Sequence, residues 1–164
     1  MKNRSYQNSQ FEILYSKYSN LLYRIALSQL GNKEDAEDAV QDAFIKMLSS
    51  SFKFSSDSEE KAWSVKVLVN GCRDILRKRR VRFAVPLDEL VDVPSPSEES
   101  HRLFEAISNL SEKHRIPVIL HYLEDFSIEE ISKALSLSVS GVKMRLLRGR
   151  EELLSLLGKG NMNV

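Results

Sequence analysis

Trp63, Lys66, Asn70, Arg73, Arg77 and Arg80 recur at every third or fourth position, so on a helix they share one face. That stripe combines cations, an amide and an aromatic ring. Cations hold phosphates, an amide reads a base edge, and a ring stacks on an unpaired base. The run Arg77-Lys78-Arg79-Arg80-Val81-Arg82 adds a dense cationic end. Two plainer readings stand beside this one: cations near a helix C-terminus also complement its dipole, and Trp63 is equally suited to a core. The opposing positions, Val65, Leu68, Val69, Cys72, Ile75 and Leu76, form an ordinary core stripe.

A second group lies between Ser127 and Arg150. Ser127 and Glu130 make an S-x-x-E capping box that opens a short helix. Ile128, Ile131 and Leu135 give it one apolar face. Ser136-Leu137-Ser138 breaks the period, and a further helix turns Val142, Leu146 and Leu153 inward. Ser140, Lys143, Met144, Leu147 and Arg148 are left as its outward, cationic side. This is the grammar of a helix-turn-helix, whose second helix enters a DNA major groove. A helical hairpin with a solvated basic face is the bland alternative.

A third group has the opposite sign. Ala36, Ala39, Val40, Ala43 and Met47 point inward from a helix whose other side carries Glu34, Asp38, Gln41, Asp42 and Ile45. Acids near a helix start complement the dipole, which accounts for Glu34 to Glu37. Asp42, beside Gln41 and Ile45 two turns in, needs another reason. An acidic face repels phosphate, so it suits a protein partner.

These groups require helices to position them. Phe11 to Leu30 carries an apolar stripe and stops at Gly31-Asn32. Helices follow from about Lys33 to Leu48 and Ser58 to Arg80, separated by the polar loop SSSFKFSSD. His101 to Leu110 is another, and Ser111 opens one that reaches about Glu124. Ala84 to Ser100 is Ser-rich and acidic, and holds three of the four prolines, so it reads as a linker. A long loop inside one domain is the alternative, but such loops are uncommon. The fold expected is all-α: two small helical domains joined by a flexible linker, the second a helix-turn-helix.

Charge follows the same division. The chain of 164 residues has a net charge of only +1. Residues 1–82 hold fifteen Lys/Arg against ten Asp/Glu, residues 83–100 hold five acids and no Lys or Arg, and residues 101–164 hold nine bases against eight acids. Local charge, not the total, makes a nucleic-acid footprint. The polar N-terminus is unlike a signal peptide, no apolar run approaches a membrane span, and one cysteine excludes an internal disulfide framework and fits a reducing cytoplasm. His101, His114 and His121 make no metal-ligand spacing with Cys72. No Gly-rich phosphate loop or nucleophile elbow occurs. No catalysis, metal, cofactor, small-molecule substrate or membrane insertion is expected.

Taken together, these residues resemble the extracytoplasmic-function (ECF) group of bacterial RNA polymerase sigma factors. Asp38-Ala39-Val40-Gln41-Asp42-Ala43-Phe44-Ile45 matches that family's D-x-V-Q-[ED]-x-F-[IL]. Trp63, Asn70, Asp74, Arg77, Lys78 and Arg80 keep its T-W-L-x-x-I-A-x-N-x-x-x-D-x-x-R-[RK]-x-[RK] stretch. Leu110 to Arg115 matches L-[PS]-x-x-x-R, Ser127 to Leu135 matches [ST]-x-x-E-I-[AS]-x-x-L, and Val142 to Arg150 matches V-[KR]-S-R-L-x-R-[AG]-R apart from Met144. The likeness runs from about Phe11 to Leu157. Departures are Ser136 for a turn glycine, Ser140-Gly141 for Gly-Thr, Met144 for Ser, and the Ser64 to Leu68 stretch.

The resemblance implies a dissociable initiation subunit whose partners are core RNA polymerase, promoter DNA and an anti-sigma factor. It divides the chain into residues 1–82 (region 2), 83–100 (linker) and 101–164 (region 4). Glu34, Asp38, Gln41, Asp42 and Ile45 would dock on polymerase. The Trp63 to Arg80 face, with the Phe52 to Asp57 loop, would take the −10 element and its unpaired strand. Ser140, Lys143, Met144, Leu147 and Arg148 would serve the −35 element. A linker from Phe83 to Ser100 reaches at most about 60 Å when extended, adequate for two promoter elements. A helix-turn-helix regulator acting without polymerase, and a helical scaffold with no DNA role, are the competing readings.

Overall fold

A computed structural model of the chain describes residues 2–50, 53–79 and 97–160. All its described elements are helical, and the chain divides into two compact units, Met1–Val85 and Pro86–Val164.

In the first unit α1 (Lys2–Leu30), α2 (Lys33–Ser49) and α3 (Asp57–Arg79) pack on one another. Helix α1 begins nine residues before the apolar stripe. Its N-terminal extension is polar, and Lys, Arg and Gln continue a helix at little cost. The α1–α2 corner needs a left-handed residue, and Gly31 supplies φ 75° while its N–H reaches the Leu27 carbonyl at 2.9 Å. Asn32 then caps α2, its side chain accepting from the Asp35 N–H at 2.8 Å. Leu14, Tyr18, Leu22, Ile25, Ala36, Ala39, Val40, Ala43, Met47, Val65, Leu68, Val69 and Cys72 are buried, so the expected inward stripes meet in one core. Ile75 and Leu76 are only half-buried.

Across this bundle, Lys17 on α1 donates to Asp57 Oδ1 and Glu60 Oε1 on α3, both at 2.9 Å, and the Tyr18 hydroxyl donates to Glu60 Oε1 at 2.7 Å. Burial first, and then the bond to Glu60, push the Tyr18 hydroxyl pKa up. At the other end Arg79 forms an ion pair with Asp35 and donates to the Leu30 carbonyl at 2.7 Å. One cation of the basic run is therefore a clasp on the α1–α2 corner.

The second unit holds α4 (Glu98–Ser108), α5 (Glu112–Val118), a π-helical turn (Ile119–Leu123), α6 (Ile128–Leu135) and α7 (Val139–Gly160). The expected linker through Ser100 is shortened here: Ser97 caps α4, accepting from the Ser100 N–H, and Glu98 and Glu99 complement the first turn. The linker's residues up to 96 lie outside the described residues. The helix expected to run to Glu124 changes character at Ile119, where the Glu124 N–H reaches five residues back. Pro117, inside α5, removes one main-chain donor just before. Arg115 donates to the carbonyls of Ser108 and Leu110, joining the end of α4 to α5. Burial lowers its pKa.

Helix α7 lies so close to α5 that a Cβ on Gly149 would sit 2.7 Å from Val118 Cγ2. Glu152 on α7 accepts from the Ser111 N–H at 3.0 Å and lies 2.7 Å from His114 Nδ1. The His114 contact is the main cause holding the Glu152 carboxyl below its ordinary range.

Candidate nucleic-acid and protein interfaces

Helix α2 presents the acidic face as expected. Glu34, Asp38, Gln41, Asp42 and Ile45 are all exposed, and Ile45 is 58% accessible. Asp35 is set apart from them, tied into the corner by Asn32 and Arg79. The sequence reading missed the neighbours of this face. Phe44 is buried beside Ile45 and packs against Phe11 and Tyr15 of α1, ring centroids 5.9 and 5.5 Å away. Phe11 and Tyr15 are themselves exposed, so an aromatic edge flanks the acidic helix. Phe11 marked the start of an apolar stripe, and its place one turn before the buried Leu14 gave no signal of its exposure.

On α3, Lys66, Asn70 and Arg77 are exposed and Trp63 and Arg73 are half-buried. Arg77 lies 3.6 Å from Asp74, one turn away. Arg80 lies outside the described residues. Trp63 belongs neither to the core nor to open solvent. It packs on Phe54 of the α2–α3 loop, centroids 5.3 Å apart and planes inclined by 46°. The two rings help to line a cleft of about 460 Å³, with Leu14, Met47, Lys53 and Glu60 among its other walls. Phe54 and Glu60 were not singled out by sequence. Phe54 entered only as part of the Phe52 to Asp57 loop, and Glu60 carried no reading.

The helix-turn-helix forms as read. Ser127 Oγ accepts from the Glu130 N–H and Glu130 Oε2 accepts from the Ser127 N–H, both at 3.1 Å. Ser136 ends α6 at φ 54°, ψ 46°, a left-handed position that costs a non-glycine residue on the order of 1 kcal/mol. Ser132 Oγ offsets part of that by donating to the Leu137 carbonyl at 2.5 Å. Ser138 Oγ accepts from the Gly141 N–H at 3.0 Å and starts α7. Ile131, Ala134, Val142 and Leu146 are buried between the two helices. Ser140, Lys143, Met144, Leu147 and Arg148 are exposed together, with Met144 at 48%. One turn beyond Leu147, Arg150 donates to the Tyr122 hydroxyl at 3.2 Å.

Among the described residues no cluster of His, Cys, Asp and Glu could hold a metal ion, and none of the helices is long and apolar enough to cross a membrane.

Residues 14–82 match the family model for sigma-70 region 2, and residues 100–153 match that for sigma-70 region 4. The RNA polymerase sigma factor SigV of Bacillus subtilis is 35% identical over 130 residues, covering 77% of this chain and 78% of that protein. The chain belongs to the ECF sigma factors of RNA polymerase. The ECF sigma factor SigM of Mycobacterium tuberculosis is 28% identical over 94% of this chain and 80% of its own length. Among solved structures, the sigma factor RpoE in complex with the anti-sigma factor NepR from Bartonella quintana aligns with TM-score 0.73 and 25% identity, covering 91% of this chain and 97% of that one. CnrH, in complex with the cytosolic domain of CnrY, shares the fold at TM-score 0.71.

As a sigma factor the chain has core RNA polymerase and promoter DNA as partners, and a regulator acting without polymerase is not favoured. The matched region 2 spans the acidic and cationic groups of the first unit, with Phe54 and Trp63. The matched region 4 spans the helix-turn-helix.

Proposed function

We propose that residues 1–82 form the polymerase- and −10-binding domain and residues 101–164 the −35-binding domain, joined through 83–100. The observation that carries this reading is the separation of charge on the first unit. Glu34, Asp38, Gln41, Asp42 and Ile45 share an exposed acidic face of α2, while Lys66, Asn70, Arg73 and Arg77 lie on α3. The acidic face docks on polymerase, where complementary charge steers and registers the complex. The α3 face, with Arg80, takes the −10 element. Opening the duplex costs a few kcal/mol for each unstacked base, and stacking on an aromatic ring such as Trp63 returns about 1–3 kcal/mol.

Helix α7 reads the −35 element. Lys143 donates to a guanine edge, Met144 and Leu147 touch a thymine methyl, and Ser140 and Arg148 hold phosphates. The chain works in the cytoplasm, catalyses no reaction itself, and is restrained by an anti-sigma protein. The last point is supported by the neighbouring structure of RpoE, which is in complex with the anti-sigma factor NepR. The test is transcription in vitro with core polymerase on a random promoter library. Initiation at promoters sharing two spaced elements is the expected result. Promoters sharing only one element, or none, would overturn the division of labour.

A further inference from the structure

We propose that the Tyr122 hydroxyl, paired with Arg150, holds one DNA phosphate at the rim of the −35 groove, an anchor that lies before the helix-turn-helix in sequence. The proposal rests on the assignment of α7 to the −35 element.

Two elements bring the pair together. The π turn Ile119–Leu123 widens one helical turn and so re-aims the side chains it carries, and such turns are frequent at functional sites. His121 Nδ1 donates to the Phe126 carbonyl at 2.8 Å, which fixes the end of the turn. The His121 ring meets Tyr122 edge-on, centroids 4.9 Å apart. Tyr122 is left 46% exposed, and its hydroxyl accepts from Arg150 Nη1 on α7 at 3.2 Å. Because the oxygen accepts in that bond, the hydroxyl proton remains to be donated. It has no acceptor among the described residues. The cation behind it polarises the O–H and strengthens it as a donor.

Position along α7 selects phosphate over base. Lys143, Leu147 and Arg150 are exposed and follow one another at steps of four and three, on one side of the helix. The first turns of a recognition helix read base edges. Arg150 lies about 10 Å further along the axis than Lys143. The major groove is about 12 Å wide, so a helix leaving it meets the sugar-phosphate wall at that distance.

Charge around the pair is mixed. Lys143 and Arg148 favour a phosphate, whereas the exposed Asp125 and Glu151 and the half-buried Glu124 oppose it. Attraction at long range is therefore small. The pair acts by short bonds, one N–H and one O–H converging on the same phosphate. A neutral hydroxyl also releases no counterion, which separates its signature from that of an arginine.

The test uses holoenzyme, reconstituted from the full chain and core polymerase, on promoters in which single phosphates around the −35 element are replaced by neutral methylphosphonate. Wild type is expected to lose affinity by about tenfold or more at one flanking phosphate. Tyr122→Phe keeps the ring against His121 and removes only the hydroxyl. On unmodified promoter it is expected to bind about tenfold more weakly, with the wild-type salt slope. At the flanking phosphate it loses less than wild type does, and at every other phosphate it loses as much. Arg150→Ala, in contrast, flattens the slope by about one unit. A folded Tyr122→Phe with wild-type affinity, or with the wild-type pattern of phosphate sensitivity, overturns the role of Tyr122 and leaves its bond to Arg150 as packing between helices. A wild type insensitive to every substitution around the −35 element defeats the assignment of α7 and the proposal with it, and this arm decides alone if the variant fails to fold.

Discussion

Single side chains on the two cationic faces differ in what they contribute. Met144 stands exposed on α7 between Lys143 and Leu147, on the side proposed to meet base edges. Met144→Ser is expected to change the preferred −35 sequence, with about 1–3 kcal/mol at stake for a good contact; a library selection returning the wild-type sequence would refute the assignment. Arg77 is also exposed, and on the proposed assignment it meets phosphate rather than a base. Arg77→Ala is expected to weaken binding of all promoters alike and to flatten the salt slope by about one unit. A third side chain titrates. Glu152 has its folded-state pKa lowered, chiefly by His114. The folded state thus holds the charged form more firmly than the unfolded chain does. Its contribution is complete above the ordinary carboxyl value of 4.5 and is lost as pH falls through the depressed one. Thermal melts of Glu152→Gln should therefore depend less steeply on pH below about 4.5 than those of wild type.

Helices as units carry the next set of consequences. Reversing charge at Asp38 and Asp42 leaves the buried side of α2 intact, since both are exposed and Ala36, Val40, Ala43 and Met47 are not. Asp38→Lys with Asp42→Lys is expected to melt within about 1 kcal/mol of wild type, the dipole contribution of an early-turn acid, yet to lose capture by core polymerase. A folded double variant that is still captured would reduce the acidic face to helix-end chemistry. Packing of α7 gives a paired test. Gly158→Ala meets nothing within 4 Å and should gain about 0.5–1 kcal/mol from helix propensity. Gly149→Ala gains as much but places its Cβ 2.7 Å from Val118, and overpacking of about 1–3 kcal/mol wins. Opposite shifts in melting temperature are expected.

These elements were legible in different degrees. Periodicity located α2, α3 and α6 because each buries one stripe, and the Ser127–Glu130 box marked a helix start within one residue. The extension of α1 to Lys2 was invisible because a helix without an apolar stripe leaves no period. The π turn was equally hidden, since it shifts hydrogen bonds without changing which residues are apolar. Arg79 read as one more DNA cation because its partners, Asp35 and Leu30, lie more than forty positions away. The cleft beside Trp63 likewise depends on Leu14, Phe54 and Glu60 converging from separate elements, which spacing does not encode.

At the scale of the whole chain, neither reading surface is large. The positions proposed to face DNA number a handful on each unit, and five acids between residues 83 and 100 oppose phosphate. Free protein is accordingly expected to bind promoter DNA weakly and with little selectivity, and polymerase to confer both by holding the two surfaces on their elements. Gel-shift measurements at physiological salt check this. Nanomolar, sequence-specific binding by the isolated chain would contradict the need for polymerase. Salt is expected to weaken the free protein's binding steeply, as for any association dominated by phosphate neutralisation.

The lone cysteine has a practical corollary. Cys72 lies at the centre of the first unit, fully buried, and its thiol is pushed up to about 12 by desolvation. A thiol so protonated and enclosed reacts with an alkylating reagent only when the helices around it part. Because the chain has a single Cys, the rate of alkylation is an opening clock for that bundle, free of any second signal. Timed with and without core polymerase, it would give the free energy by which docking clamps the three helices shut.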